Sequence, residues 1–311
     1  MILASSNSNE VFNDVVVLIL NYRSSALTIG CAENVMNLGS NISIVIVDNN
    51  SNDQSFDVIS KRFEKDENVH VIASNENKGY ASGNNFGFRY IKNNISAAKY
   101  VLLLNPDIIV PSYETIYRMR QALVCDNELG LVSCQIIYND LWRGFSDFGW
   151  QLPSFKHLVW AGTFLSRLFL RNINNAYSAV QITDKIAKVD VVSGCCFMSN
   201  LDILCDVDYL DERTFLYFEE TILAKKLKAI GKTEGIILDQ FVYHNHQEKD
   251  KSLKNYKKKL FDRKTFHASK KVYTKYYSGL NGFQKFLCSV VNGVDMFFKN
   301  VVYGLAALIF H

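Results

Sequence analysis

Residues 100–110 read YVLLLNPDIIV and place a polar turn directly after an apolar run. The run at 101–104 is typical of a strand buried on both faces, and Pro106 cannot donate to a central ladder, so we expect the strand to end before it. Asp107 then lies beyond the carboxyl end of an interior strand, where ligands bind in open α/β sheets. With Asn105 it could ligate a divalent cation that is held partly by substrate phosphates. A solvated turn with no ligand is the alternative, and this stretch alone leaves both open.

The composition is that of a folded protein with an uneven charge distribution. The chain has 311 residues, 48% of them hydrophobic, which is enough for a large core. Its seven cysteines show no CxxC spacing, and residues 1–14 lack a basic region followed by an apolar core. We therefore expect a reducing compartment and no export signal. The net charge is +3, but residues 249–275 contain eleven Lys or Arg and two Asp, which is +9 and leaves −6 for the rest.

The first third of the chain has the pattern of a βαβ unit. Apolar runs at 15–20 and 42–47 flank an amphipathic stretch at 26–38, and a third run follows at 69–73. Asp48 directly follows the second run and is expected at the same edge of the sheet as Asp107. A carboxylate there can accept hydrogen bonds from a base or ribose. The polar residues that follow it could instead only cap the next helix, predicted at 54–63.

A glycine-rich segment follows the third predicted strand. Residues 75–91 read NENKGYASGNNFGFRYI, with a glycine at every fourth position from Gly79. Small residues there permit close approach of a ligand, or of another part of the backbone. The segment is not the GxGxxG fingerprint, which disfavours a nicotinamide-dependent enzyme.

A second group of polar residues lies in the last third of the chain. Ser193 and Gly194 interrupt an apolar run, which indicates a bend beside a ligand. Residues 215–232 read FLYFEETILAKKLKAIGK with helical spacing, and Glu219 and Glu220 fall in the first turn, where the helix dipole alone would favour them. His244 follows a strand predicted at 236–242, and without further context such a histidine is most often simply solvated.

Together these motifs resemble the inverting, nucleotide-sugar-dependent glycosyltransferases of family 2, which have the GT-A fold. The similarity is greatest to the rhamnosyltransferase-like branch that builds bacterial surface polysaccharides. It rests on NY at 21–22, VDNNSND at 47–53, NKGYASGNN at 77–85, LNPD at 104–107 and the block at 211–231. The resemblance covers roughly residues 14–275. It implies an α/β fold: a Rossmann-like mixed sheet flanked by helices, with a C-terminal helical extension.

The resemblance also implies roles for individual residues. Glu220 corresponds to the catalytic base and Glu219 to its neighbour, while Asp107 and His244 correspond to ligands of Mg²⁺ or Mn²⁺. The donor, a UDP- or dTDP-linked sugar, is expected to contact Asn21, Asp48, Asn50, Lys78, Gly79, Asn84, Asn105, Ser193 and Gly194. Two positions depart from the family pattern: Glu220 replaces an Asp, and Ile222 stands where a second Asp is usual, which bears on acceptor binding.

The tail and the overall function are expectations of the same kind. We expect a catalytic domain at 1–265 and a basic, amphipathic helical tail at 266–311. The tail is expected to contact the inner-membrane surface from the cytoplasm. The expected acceptor is a saccharide or a lipid-linked molecule. A helical cap on the catalytic domain is the alternative for the tail. No nucleic-acid motif accompanies the basic residues. A different transferase on the same scaffold, and a binding-only homologue that scaffolds an assembly complex, are the alternatives for the function. The aromatic-rich region 138–183, including Trp142 and Phe145, is expected to shape acceptor recognition.

Overall fold

The computed structural model describes residues 13–39, 42–139, 148–163, 181–183, 185–245 and 256–309. Residues 1–12, Trp142, Phe145 and residues 249–255 of the basic segment lie outside the described residues, and so do the expectations that concern them.

The described chain alternates strands and helices. The strands are β1 (Val15–Asn21), β2 (Ser43–Asp48), β3 (Val69–Ala73), β4 (Tyr100–Leu104), β5 (Ile108–Ile109), β6 (Leu129–Tyr138), β7 (Gly149–Trp150), β8 (Gln181–Thr183), β9 (Ile186–Val189), β10 (Val191–Val192), β11 (Cys196–Asn200) and β12 (Thr233–His244). The helices are α1 (Ser25–Met36), α2 (Ser55–Arg62), α3 (Tyr80–Asn94), α4 (Tyr113–Cys125), α5 (Phe155–Trp160), α6 (Leu201–Asp206), α7 (Glu219–Ala229), α8 (Tyr256–Tyr276) and α9 (Gly282–Ile309).

One mixed sheet organises the molecule, in the order β3-β2-β1-β4-β11-β6-β12-β9-β8, with β5 paired to β12. Strands β3, β2, β1 and β4 are parallel, and the antiparallel β11 joins β4 to β6. Residues 15–19 and 101–104 are buried, as expected for central strands covered on both faces. The α/β mixed sheet flanked by helices, with a helical C-terminal region, is thus confirmed. β2 and β4 flank β1 and end at the same edge, so Asp48 and the turn 105–107 lie along one rim.

A second, smaller apolar cluster joins the C-terminal helices to the rest of the described chain. We call it the tail cluster, and its buried members are Leu158, Val159, Phe218, Ile222, Tyr273 and Cys288. They come from α5, α7 with its preceding residue, α8 and α9. The expected domain boundary between residues 265 and 266 falls inside α8. No helix in the described part of the chain is both long enough and apolar enough to cross a membrane.

Candidate active site

The first part of the site is a hydrogen-bonded group at the ends of β1 and β2. Asn21 Nδ2 donates to Asp48 Oδ1 at 2.6 Å, and the backbone N–H of Ser51 donates to Asp48 Oδ2 at 2.9 Å. Asn21 Oδ1 in turn accepts from Thr28 Oγ1 at 2.8 Å. Asp48 is buried, and both its oxygens are engaged within the protein. A carboxylate has about four acceptor positions, so a ligand would share these oxygens with Asn21 and Ser51.

The glycine-rich segment is fixed to this group through Asn49. Asn49 Nδ2 donates to Asn77 Oδ1 and to the carbonyl of Gly79, both at 3.2 Å. Gly79 has a φ of +103°, and a Cβ there would lie 2.6 Å from Phe215 Cα and overlap its carbonyl. Glycine is therefore required by both the backbone conformation and the close approach of the loop before α7.

The second part of the site joins the turn after β4 to the start of α7. Tyr80 Oη lies 3.0 Å from Asn105 Oδ1 and 2.8 Å from the carbonyl oxygen of Gly194, and these two acceptors share its one proton. A methyl group placed on Gly194 would lie 3.7 Å from Glu220 Oε2, so the carboxylate lies against this bend. The fold thus brings Asn105, Gly194 and Glu220 together, although they are far apart in sequence.

Asp107 and His244 form the third part. Asp107 Oδ2 lies 3.1 Å from His244 Nε2, and the backbone N–H of Asn245 donates to the Asp107 carbonyl at 3.0 Å. Burial opposes a charge on His244, but hydrogen bonding to Asp107 and Cys195 raises the pKa of its imidazole to about 9. The backbone N–H of Asn105 donates to the Cys195 carbonyl at 2.8 Å, which connects this pair to the Gly194 bend.

A carboxylate beside an imidazole is a suitable donor set for a divalent transition metal. Among the described residues, no group of three or more His, Cys, Asp and Glu side chains could hold an ion by itself. The two donors therefore fit an ion whose remaining ligands come from a bound molecule and water.

Glu219 and Glu220 begin α7 as expected, but their environments differ. Glu219 is buried, and burial together with the charge of Glu220 raises the pKa of Glu219 to about 8. Burial also raises the pKa of Glu220 above its ordinary value. The two preceding residues, Tyr217 and Phe218, have φ values of 75° and 69°. Two successive non-glycine residues in the left-handed region are a strained arrangement that the surrounding packing must hold.

Ile222 lies away from this chemistry. It is fully buried in the tail cluster, one turn into α7, where it packs with Phe218 and Tyr273. An aspartate at this position would be desolvated among apolar side chains, so the isoleucine is explained by packing.

Glu234 on β12 is a buried acid that the sequence did not single out. It is 3% exposed, and its Oε2 accepts from the backbone N–H of Val192, immediately before the Ser193–Gly194 bend, at 2.7 Å. Burial raises the pKa of Glu234 well above the ordinary value, and the charge of Glu220 raises it further. An acid at the start of a strand, beside a glycine, resembles an ordinary surface position, so only the fold reveals it.

The other expected donor contacts are distributed along the same edge. Asn50 has a φ of 52°, Asn84 Nδ2 donates to the Tyr80 carbonyl, and Ser193 Oγ lies 3.3 Å from Cys195 Sγ. Lys78 is exposed and pairs with Glu76. The donor contacts of these four residues stay predictions.

The fold and this edge of the sheet define a protein of the GT-A glycosyltransferase class. A sequence model of glycosyl transferase family 2 matches residues 15–176, just over half of the chain. The chain therefore belongs to glycosyl transferase family 2.

Three individual proteins illustrate the range of similarity. The low-salt glycan biosynthesis hexosyltransferase Agl10 of Haloferax volcanii is 26% identical over 216 residues, which are 68% of this chain and 60% of that protein. The mannosyltransferase PcManGT of Pyrobaculum calidifontis, solved with GDP-Man and Mn²⁺, superposes with a TM-score of 0.56 at 13% identity over 98% of this chain and 77% of its own. GalNAc-T7, solved with UDP, GalNAc and Mn²⁺, superposes with a TM-score of 0.57 at 13% identity over 94% and 57%.

These similarities support different statements. The two structural matches are only 13% identical to this chain, so they establish the fold and nothing more. The chain spans about 60% of the length of the curated relative. Activity, substrates and partners are therefore taken up as proposals.

Proposed function

We propose that this protein transfers a sugar, with inversion, from a nucleoside-diphosphate sugar to a hydroxyl of a saccharide or polyprenyl-linked acceptor. The setting we propose is cell-surface polysaccharide synthesis of the O-antigen or capsule type, and the rhamnosyltransferase-like motifs at 47–53 and 77–85 support that branch. The GDP-Man bound to PcManGT, and the UDP and GalNAc bound to GalNAc-T7, support the donor class. A UDP- or dTDP-linked donor remains our expectation.

The observation that carries the proposal is the position of Glu220 against Gly194, on a bend that Tyr80 ties to Asn105. This places a carboxylate next to the turn that also carries Asp107. In an inverting transfer the acceptor hydroxyl attacks the anomeric carbon opposite the departing diphosphate. Glu220 takes the hydroxyl proton as the new C–O bond forms, and the diphosphate leaves with the electron pair of the broken bond.

Asp107 and His244 would hold Mg²⁺ or Mn²⁺, in line with the Mn²⁺ in both structural relatives. When bound, such an ion neutralises the charge that develops on the leaving diphosphate. Asn21 and Asp48 bind the base or ribose in this proposal, and the Asn49–Gly79 contacts keep the glycine-rich segment against the donor.

We also propose that the enzyme works at the cytoplasmic face of the membrane. The basic α8 and its continuation into α9 support a surface location, since a polyprenyl-linked acceptor would be held in the bilayer.

The test is metal-dependent hydrolysis of a panel of UDP-, dTDP- and GDP-linked sugars by the wild type, Asp107→Ala and Glu220→Gln. One nucleoside diphosphate should be released with Mn²⁺ or Mg²⁺, and Asp107→Ala should abolish the metal response. Glu220→Gln should bind the same nucleotide but transfer about 10² to 10⁴-fold more slowly. Glu64→Gln, an exposed glutamate beyond α2, is the matched control and should behave as the wild type.

Nucleotide binding without turnover in any preparation would favour the binding-only scaffold instead. The departures at 220 and 222 were the sequence grounds for that alternative. The burial of Ile222 in the tail cluster gives the isoleucine a packing role, so its presence is not by itself a sign of lost function.

A further inference from the structure

Helix α9 carries a continuous apolar stripe that faces away from the protein. Its members are Phe283, Phe286, Val290, Val294, Phe297, Val301 and Leu305. Their spacing of three or four residues puts all seven on one side of the helix. Every one of them is exposed, from 42% for Val290 to 73% for Phe283. An exposed stripe of this length is atypical of a free protein surface and indicates that something covers it.

The opposite side of α9 is already packed. Cys288 and Asp295 are buried, Cys288 as a member of the tail cluster. Asn292 Nδ2 donates to the Leu158 carbonyl at 3.3 Å, and Lys299 pairs with Asp295. These contacts fix the rotation of α9, so the stripe cannot turn inward without breaking them.

A groove with a basic rim runs beside the stripe, between α8 and α9. It has a volume of about 450 Å³. Lys264, Lys271, Lys275 and Lys285 line it, with Ala268, Cys288 and Met296 among its apolar lining residues. We call it the basic groove. Helix α8 as a whole contains eight Lys or Arg and one Asp, a net charge of +7.

We propose that the apolar stripe and the basic groove together form a docking surface for a bilayer that contains anionic phospholipids. Helix α9 lies in the interface with the stripe among the acyl chains, and the groove lysines bind lipid phosphates. The stripe covers 23 residues, which corresponds to about 33 Å of helix lying along the surface. This deepens the membrane location proposed above and does not depend on the transfer chemistry.

Charge favours the bilayer over a second copy of this chain. Isologous pairing of two stripes would also bring two α8 helices, each of +7, near one another. A negative lipid surface instead attracts the basic residues while the aromatic side chains enter the interface.

The test is sedimentation of the full chain with vesicles of phosphatidylcholine alone or mixed with phosphatidylglycerol. The wild type should bind the mixed vesicles far better, and added salt should weaken that binding. Lys271→Gln/Lys275→Gln should bind mixed vesicles about 30-fold more weakly. Phe286→Ser/Phe297→Ser should lose binding even at low salt.

Matched controls are available elsewhere on the surface. Lys61→Gln/Lys65→Gln removes the same charge from another region, and Val58→Ser/Val124→Ser replaces exposed apolar side chains outside the stripe; both should bind like the wild type. Hydrolysis of a soluble nucleotide sugar should be unchanged in all four variants, which separates a failure of docking from a failure of the proposed chemistry.

Wild-type protein that ignores anionic vesicles, or stripe and groove variants that bind as well as their controls, would overturn the proposal. A wild type that is dimeric by light scattering while Phe286→Ser/Phe297→Ser is monomeric would overturn it too, because the stripe would then join two copies of the chain.

Discussion

At the scale of single residues, Glu219 and Glu220 show how neighbouring acids can have different environments. Both are in the first turn of α7, where the helix dipole stabilises a negative charge. Only Glu220 lies against the Gly194 bend, whereas Glu219 is buried with a pKa raised to about 8. A pKa of about 8 keeps Glu219 largely protonated at neutral pH, and its position against the bend makes Glu220 the candidate base.

Glu219→Gln tests this division. The variant should transfer at about the wild-type rate near pH 7, because an amide replaces a largely neutral acid. Above about pH 8 the wild type gains a second negative charge that makes Glu220 a stronger base, so its rate should rise relative to the variant. The measurement is kcat against pH for both proteins. A wild-type to variant ratio that stays constant across pH 8 would show that Glu219 does not titrate there.

Glu234→Gln tests the buried acid behind the bend. The folded-state pKa of Glu234 is raised, so between its ordinary value of 4.5 and that raised value the folded protein keeps a proton that the unfolded chain releases. Stability therefore falls as pH rises through this window, by up to about 1.4 kcal/mol per pH unit. Glutamine keeps an acceptor for Val192 and should reduce this dependence in denaturant unfolding at several pH values. The prediction would be contradicted if the free energy of unfolding of Glu234→Gln changed with pH as steeply as that of the surface control Glu64→Gln.

At the scale of elements, the segment 77–85 depends on one close backbone approach. Gly79→Ala adds a Cβ at a φ of +103° and forces it against Phe215, on the loop that leads to α7. We expect a loss of about 1 to 3 kcal/mol in the free energy of unfolding, with weaker nucleotide binding.

Gly30→Ala is its matched control. Gly30 lies within α1 with no heavy atom near the added Cβ, so the substitution should raise stability by about 0.5 to 1 kcal/mol and leave binding unchanged. Urea unfolding and a nucleotide titration measure both effects. If both variants had the same stability and nucleotide affinity, the close approach of Gly79 to Phe215 would not be what requires a glycine there.

The strands and helices could be predicted where the local pattern decides them. β1 to β4, α1, α2 and the start of α7 lie within two residues of the expected limits, because apolar periodicity and turn residues act locally. The insertion of the antiparallel β11 between β4 and β6 has no local signal. For the same reason no local pattern predicts that Tyr80 and Asn105 meet at Gly194, or that Glu234 lies behind the bend.

At the scale of the whole molecule, helices α8 and α9 pack against the part of the chain that precedes them. On α8, Phe266 contacts the rings of Tyr217 and Phe218, and Tyr273 contacts Phe218. Ser269 Oγ donates to the Leu216 carbonyl at 2.8 Å. These contacts surround the two residues with positive φ that precede the Glu219–Glu220 pair, so the tail helps to hold the strained start of α7. A bilayer bound to α9 would thus be linked to the candidate base Glu220 through the packing of α9 on α8 and of α8 on the residues before α7.

We therefore expect the two parts to unfold in one cooperative transition, although the sequence divides them near residue 265. Trp160, which packs against the tail cluster, reports on the tail by fluorescence when the other two tryptophans are replaced, and far-UV circular dichroism reports on the whole chain. The two midpoints in urea should coincide. Phe266→Ala should lower both midpoints together, because it should reduce the free energy of unfolding by about 2 kcal/mol. Phe283→Ala, which changes an exposed side chain on α9, should change neither midpoint. A tail signal that changes at lower urea than the circular dichroism would show a separate domain. The contacts of α8 with the residues before α7 would then not be needed to hold the start of α7.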